Sequence, residues 1–151
     1  MKYLKLETTD PYMNLAIEEY LFRYSTDDIF ILWQNRPTVV IGKNQNAYIE
    51  TNISFLTENN IMLARRITGG GAVYHDSGNL NYTFISKRQN GEINFEYFTS
   101  PVIEALRSLG LDAQLSGRND ILVNGRKVSG TVERVDIDSE DLRTVHDAFT
   151  K

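Results

Sequence analysis

Two rhythms of apolar residues alternate along the chain. Asp10 and Pro11 read as an N-cap with proline at the first helical position, and Met13, Ile17, Tyr20, Leu21 and Tyr24 then recur at helical spacing. "IFILW" (Ile29 to Trp33) and "TVVIG" (Thr38 to Gly42) are short β-branched and aromatic runs on either side of Asn35-Arg36-Pro37, so they predict an antiparallel pair with a turn between. Ala47 to Asn59 predicts a second helix with Ile49, Ile53 and Leu56 inward. "IMLAR" is a strand leading into a run of three glycines, and "LNYTFIS" (Leu80 to Ser86) is a strand leading out, with alternating faces. The longest helical signal is "NFEYFTSPVIEALRSLGL", stopped by Gly110 at a C-cap position. "DAQLS" and "DILVNGRKVSG" follow, and Asn124-Gly125 in the latter is the strongest short hairpin signal in the chain. Helices and strands interleave but hairpins dominate, which predicts an α+β fold with a mixed, mostly antiparallel sheet flanked by helices.

Composition narrows the classes. At 151 residues the chain is long enough for one domain with its own core. No repeat, low-complexity tract or Pro/Gly/Ser linker divides it. A formal charge of -4 offers no basic stripe to neutralise phosphates along a duplex, so nucleic acid is not the expected partner. Without cysteine there is no disulfide framework, thiolate metal site or thiol nucleophile, which suits a reducing compartment. "MKYLKLETTD" is charged where a signal peptide needs an apolar core, and no apolar run approaches the ~18 residues that span a bilayer. A soluble, cytoplasmic protein without membrane partners is the expectation.

The chemistry concentrates in "RRITGGGAVYHDSGNLNYTF" (Arg65 to Phe84). Gly69-Gly70-Gly71 is either a flexible turn or a nest of backbone N–H groups that a phosphate or carboxylate can approach without Cβ obstruction. It is neither a Walker loop nor a dinucleotide fingerprint, since no Lys-Ser/Thr follows and no G-x-G-x-x-G opens a helix. Arg65 and Arg66 alternate faces on a strand, and Arg66 is the better candidate to turn toward the loop as an anion-binding fork. His75 reads as a satisfied core histidine, a general base or a ligand group. Asp76 and Asn79 read as turn caps.

"LARRITGGGAVYHDSGNLNYTFI" closely resembles the signature of lipoate–protein ligases, and "GRNDILVNGRKVSG" resembles that family's second motif, with its essential lysine. "NLAIEEYLF", "LWQNRPTVVIGKNQN" and "SPVIEALRSLGLDAQLSGRND" fall in the family's order, so the similarity covers about residues 10 to 134. The resemblance implies the biotin/lipoate ligase catalytic-domain fold, related to class II synthetases, and a two-step reaction. Lipoate and ATP, with Mg²⁺, form lipoyl-adenylate and pyrophosphate. The lipoyl group then passes to a specific lysine of a lipoyl domain of a 2-oxoacid dehydrogenase E2 subunit, or of the glycine-cleavage H protein. Carried over by position, Arg66, Gly70, Gly71, Ala72, Val73, Tyr74, His75, Asn119, Asp120 and Lys127 would hold ATP or the adenylate, Lys127 as the catalytic group and Asp120 helping to hold Mg²⁺. Leu15, Ile17, Glu18, Trp33, Arg66, Thr68, Gly71, His75, Lys127 and Arg134 would surround lipoate. Ile17, Trp33 and Val39 are candidates for an apolar sleeve around its tail.

The chain departs from the family past "KVSG", where two histidines and a glycine normally open a further strand. Here "TVERVDIDSEDLRTVHDAFTK" follows, with His146 for one histidine and Asp147 where glycine is expected. Residues 1–135 are therefore expected to form the ligase-like domain, and 136–151 an acidic polar tail or loop, or the start of a further strand. A fragment, an internally truncated product and a chain completed by an accessory domain or second polypeptide all remain open. So does a binding module that holds lipoate or an adenylate without transferring it. Octanoyl transfer by the family's cysteine-dependent relatives is disfavoured because the chain has no cysteine. Biotin ligation is disfavoured because "RRITGGGAVYH" replaces that family's arginine- and glycine-rich loop.

Overall fold

The computed structural model describes residues 1–86, 95–117 and 119–131. They belong to two compact units, one within Met1–Lys87 and one within Arg88–Lys151.

In the first unit β1 (Lys2–Lys5) lies parallel to β2 (Ile29–Trp33), which pairs antiparallel with β6 (Asn81–Ile85). A second sheet centres on β3 (Thr38–Ile41), parallel to β4 (Met62–Arg65) and antiparallel to β5 (Val73–His75). Helix α1 (Pro11–Tyr24) starts as its sequence says: the Asp10 carboxylate accepts from the N–H groups of Tyr12 and Met13, and Arg36 ties to its other oxygen at 2.8 Å. Ile29, Ile31, Trp33 and Ile85 form one face of the first sheet, packed against Leu15, Leu21 and Phe22 of α1.

Three expectations need correction. β2 and β3 do not form a hairpin; they sit in different sheets. The Asn35-Arg36-Pro37 link is occupied elsewhere: the Arg36 N–H bonds to Thr9, the Pro37 carbonyl accepts from Met62, and the Asn35 side chain is buried. A tight turn cannot make those bonds, so the chain crosses from one sheet to the other. The stretch 47–59 is two short helices, α2 (Ala47–Glu50) and α3 (Ile53–Glu58), because Asn46 and Asn52 each cap a new start. Leu56 is buried there, but Ile49 is 80% exposed. On α1, Met13, Tyr20 and Tyr24 face outward, while polar Asn14 is completely buried and Glu18 is partly buried. A stripe chosen on apolarity misses a helix whose inward face carries hydrogen-bonded polar groups.

The second unit matches its sequence closely. α4 (Phe95–Ser108) ends in a Schellman motif, with Gly110 at φ +81° donating to Arg107, and Leu111 donating to Leu106. Strands β7 (Ala113–Ser116), β8 (Asp120–Val123) and β9 (Arg126–Gly130) form an antiparallel meander. Asn124 (φ 50°) and Gly125 (φ 74°) supply the two positive φ values of a type I′ turn. Ile103 packs on Ala113 and Ile121, so one face of the meander is covered by α4. Among the described residues four of the six strand pairings are antiparallel, as the mixed α+β reading expects. The expected acidic tail 136–151, His146 and the anticipated further strand lie outside the described residues.

One close approach governs the first unit. A Cβ on Gly42 would stand 2.1 Å from the Gly70 carbonyl oxygen, whereas one on Gly69 meets nothing within 4 Å. Both contacting segments are backbone and cannot swing aside. Gly42→Ala is therefore expected to lose about 1–3 kcal/mol of unfolding free energy. Gly69→Ala should be nearly neutral. Urea denaturation of the two variants compares them, and equal losses would show that the loop does not close on Gly42.

Candidate functional site

The glycine loop lies between β4 and β5, and the two arginines that precede it bind different segments. The Arg65 guanidinium binds the carbonyls of Gly42, Lys43 and Gln45 at 2.9, 3.2 and 2.7 Å, fixing the turn after β3. Arg66 turns the other way. Its Nε and Nη2 donate to Gly69 (3.2 and 2.7 Å), Nη2 also to Gly71 (2.7 Å), and Nη1 to Val40 (3.1 Å). The expected division of the two arginines thus holds, with Arg66 on the loop. Its fork is spent mainly on shaping backbone, because these contacts use four of its five N–H donors.

That clamp orients the nest. In a trans peptide the carbonyl and N–H of one unit point in opposite directions. With the Gly69 and Gly71 carbonyls turned to Arg66, the N–H groups of Gly70 and Ala72 face away from it, on exposed backbone. These two outward amides, one residue apart and beside a guanidinium, are donors of the kind that anions use. At the root of the loop the Thr68 hydroxyl is buried without a hydrogen-bond partner. Val73 and Tyr74 continue as exposed positions of β5.

Behind the loop lie two polar chains, the first half-buried and the second buried. In one, the Trp33 indole donates to the Thr83 hydroxyl (3.1 Å), which donates to Glu18 (2.6 Å). In the other, Asn14 donates to Asn35 (2.9 Å), whose amide meets His75 Nδ1 at 3.1 Å. Burial pushes the Glu18 carboxyl above its ordinary range, against the hydrogen bond from Thr83 and the charge of Arg66. Burial also lowers Arg66, opposed by Glu18. Burial, and after it the Arg66 charge, push His75 below its ordinary value, which favours the neutral imidazole. Leu15 and Ile17 are half-buried on α1, with Leu15 packed against the core that contains Trp33. Asp76 accepts from the Gly78 N–H at 2.8 Å, a turn cap as its sequence suggests.

In the second unit Lys127 Nζ lies 2.8 Å from Asp120 Oδ1, both side chains partly exposed. The pair stands on the face of the meander opposite α4: Ile121 faces the helix, whereas Asp120 and Leu122 point away, with Lys127 opposite Leu122. A β-bulge at Val128 then slips the register so that Gly130, not Ser129, lies opposite Asp120. A Cβ there would stand 3.3 Å from both Lys127 Nζ and Asp120 Oδ1, so glycine leaves room around the ion pair. Asn119 closes the open end of this ladder, its amide donating to Thr131 at 2.8 Å. Arg134 lies outside the described residues. Sequence reasoning passed over Asn14, Asn35 and Thr83; an asparagine in the interior of an otherwise amphipathic helix was the available signal for Asn14.

The chain belongs to the lipoyl protein ligase A/B catalytic domain family, whose model matches residues 10–139. It is 50% identical over 127 residues to the lipoate-protein ligase LplJ of Bacillus subtilis, across 82% of this chain and 38% of that relative. Its fold is similar to that of an archaeal bi-partite lipoate protein ligase from Thermoplasma acidophilum, whose structural study includes its E2 lipoyl domain. There the TM-score is 0.81 and the identity 35%, over 89% of this chain and 56% of that one. A lipoate-protein ligase A bound with ATP matches with a TM-score of 0.81 and 34% identity, over 89% of this chain and 61% of that one. The chain thus spans little more than a third of the curated relative and about three fifths of the solved chains. No helix among the described residues is long and apolar enough to cross a membrane.

Two outcomes follow from this geometry. A lysine at position 66 cannot span Val40, Gly69 and Gly71, so Arg66→Lys should speed amide hydrogen exchange at the loop and cost about 1–3 kcal/mol. Protection equal to the wild type would remove the clamp. His75, with its folded pKa below the unfolded 6.5, contributes stability that is complete above about pH 6.5 and lost as pH falls through the lower folded value. Glu18 acts in the opposite sense, its contribution present at low pH and lost as pH rises through its raised value. Denaturation across pH 4–8 of the wild type and His75→Gln isolates the histidine part, which should be absent from the variant.

Proposed function

We propose that this chain carries the adenylating centre of a lipoate–protein ligase. A carboxylate oxygen of lipoate attacks the α-phosphorus of ATP, pyrophosphate leaves, and lipoyl-adenylate remains. The ε-amine of a lysine on a lipoyl domain or glycine-cleavage H protein then attacks the acyl carbonyl carbon, loses a proton, and AMP departs. Both steps bring anionic or developing anionic oxygens together, so they need positive charge and N–H donors fixed in advance. In the first unit the Gly70 and Ala72 amides and the charge of Arg66 answer that need, with the Thr68 hydroxyl a further donor. Trp33, Leu15, Ile17 and Glu18 are the proposed surroundings of the lipoyl group. In the second unit Lys127 serves the acyl carbonyl and the α-phosphate as an electrostatic catalyst, without forming a covalent bond.

The observation that carries this reading is the Lys127–Asp120 pair at 2.8 Å on the face opposite α4 of a hairpin whose sequence resembles the family's second motif. Asp120 keeps a long, mobile cation at a set point on the strand. A triphosphate-bound Mg²⁺ uses one or two protein carboxylates, and partly exposed Asp120 fits that part. When bound, such an ion neutralises phosphate charge. Asn119, holding the strand ends together, supports the same face.

A second reading has its own support. The chain spans 38% of the Bacillus relative, and the archaeal ligase is bi-partite. Adenylation by this part, with transfer completed by a further domain or chain, is therefore the alternative to a self-sufficient ligase. Lipoate-dependent pyrophosphate release from ATP, followed with and without an apo lipoyl domain and a mass shift on that domain, separates them. Release with transfer supports the ligase, release without transfer the divided arrangement, and no release contradicts both. Lys127→Ala should lower the release rate by about 10²–10³-fold with the fold intact by circular dichroism; an undiminished rate would remove Lys127 from the chemistry.

A further inference from the structure

His75 has a determinable tautomer, and the determination begins at backbone carbonyls. The Asn14 Nδ2 lies 3.2 Å from the Thr8 carbonyl oxygen and 2.9 Å from that of Gln34. A carbonyl oxygen only accepts, so this end of Asn14 must be the NH₂ group; the reversed amide would set oxygen against oxygen. The same NH₂, whose two hydrogens are shared among three acceptors, lies 2.9 Å from the Asn35 side chain. There an oxygen accepts, whereas a second NH₂ would set donor against donor; the Asn14 oxygen is left buried without a partner. The other end of Asn35 is then NH₂, and it meets His75 Nδ1 at 3.1 Å. A second relay converges on the same atom: Asn79 donates to the Asn81 oxygen at 2.9 Å, and Asn81 Nδ2 lies 3.5 Å from Nδ1. Two NH₂ groups thus face one ring nitrogen, and an N–H there would point a donor at donors. Asn14 and Asn35 are 0% and 1% exposed, and His75 9%, so bulk water offers little relief.

We propose that the Asn14–Asn35 relay, seconded by Asn79–Asn81, locks His75 as the neutral Nε2–H tautomer, making Asn35 a positioning residue for an uncharged hydrogen-bond donor. Of the three roles left open by the sequence, this excludes a general base acting through Nε2, since that nitrogen already carries its proton. It also gives the cluster of asparagines around "YHDSGNLNY" a function beyond capping turns. Such a donor can bind a carbonyl or phosphate oxygen without the long-range field of a cation, beside an arginine that already supplies charge. The inference rests on the ligase reading only for which oxygen receives that hydrogen bond.

Nitrogen-15 correlation spectra of the imidazoles in the free protein test the tautomer, with His146→Gln removing the signals of the other histidine. The expected spectrum near neutral pH shows His75 Nδ1 with the shift of a bare ring nitrogen and Nε2 with that of an N–H. A protonated Nδ1, or a mixture of tautomers, would overturn the proposal, and this result is independent of any ligase assay. Asn35→Asp replaces the facing NH₂ by an acceptor of nearly the same shape. Protonation should then move onto Nδ1, and an unchanged pattern in the folded variant would also overturn the proposal. Should Asn35→Asp not fold, Asn81→Asp makes a milder form of the comparison. It should shift Nδ1 in the same direction, with no shift again contradicting the lock. A purely structural role for these amides would leave the nitrogen shifts unmoved.

Discussion

Three successive glycines carry no side chains with which to hold a shape, so the course of the loop has to be imposed from outside. The Arg66 guanidinium imposes it, drawing in the carbonyls of Gly69 and Gly71 while its other branch reaches Val40 on the neighbouring strand. Gly42 supplies the complementary constraint, since its missing Cβ is what lets the Gly70 carbonyl come so near. A clamp on one side and a vacant side-chain position on the other leave the loop little freedom. The loop amides that face away from Arg66 become fixed donors as a result. Fixed donors are what an adenylating reaction requires, because dipoles set in advance need not reorganise as charge develops.

The interior behind the loop is polar for a related reason. Glu18 and Arg66 sit in each other's field while both lose water, so each opposes the penalty that burial places on the other. His75 resolves the same problem by remaining neutral, with Asn35 and Asn81 turned to accept no proton from it. The second unit uses a different device. Its bulge at Val128 moves Gly130 opposite Asp120, and the space so left accommodates the Lys127–Asp120 pair on a sheet whose other face is core.

Local signals made much of this legible before the coordinates. The Asp10-Pro11 start, the Gly110 stop and the Asn124-Gly125 turn are written in residue types whose backbone preferences leave few alternatives. The family resemblance likewise pointed to the stretch that the family model covers. What escaped was non-local. Strand β1 is exposed along its whole length and reads as a charged terminus, yet it pairs with β2 over four residues. Strand β5 is three residues inside a presumed loop. The supposed β2–β3 hairpin failed because Asn35, Arg36 and Pro37 bond to distant partners that no local pattern reveals. The structure adds to the reading of Arg66 that its donors also hold the loop, through the Gly69 and Gly71 carbonyls.

The account turns on whether the clamped loop is the anion cradle. The most direct measurement is the amide spectrum of the chain titrated with a non-transferable acyl-adenylate analogue, in the wild type and in Arg66→Lys. Shifts and slowed exchange centred on the Gly70 and Ala72 amides, weakened in the variant, are the predicted result. Saturable binding that leaves those two amides unchanged would contradict it.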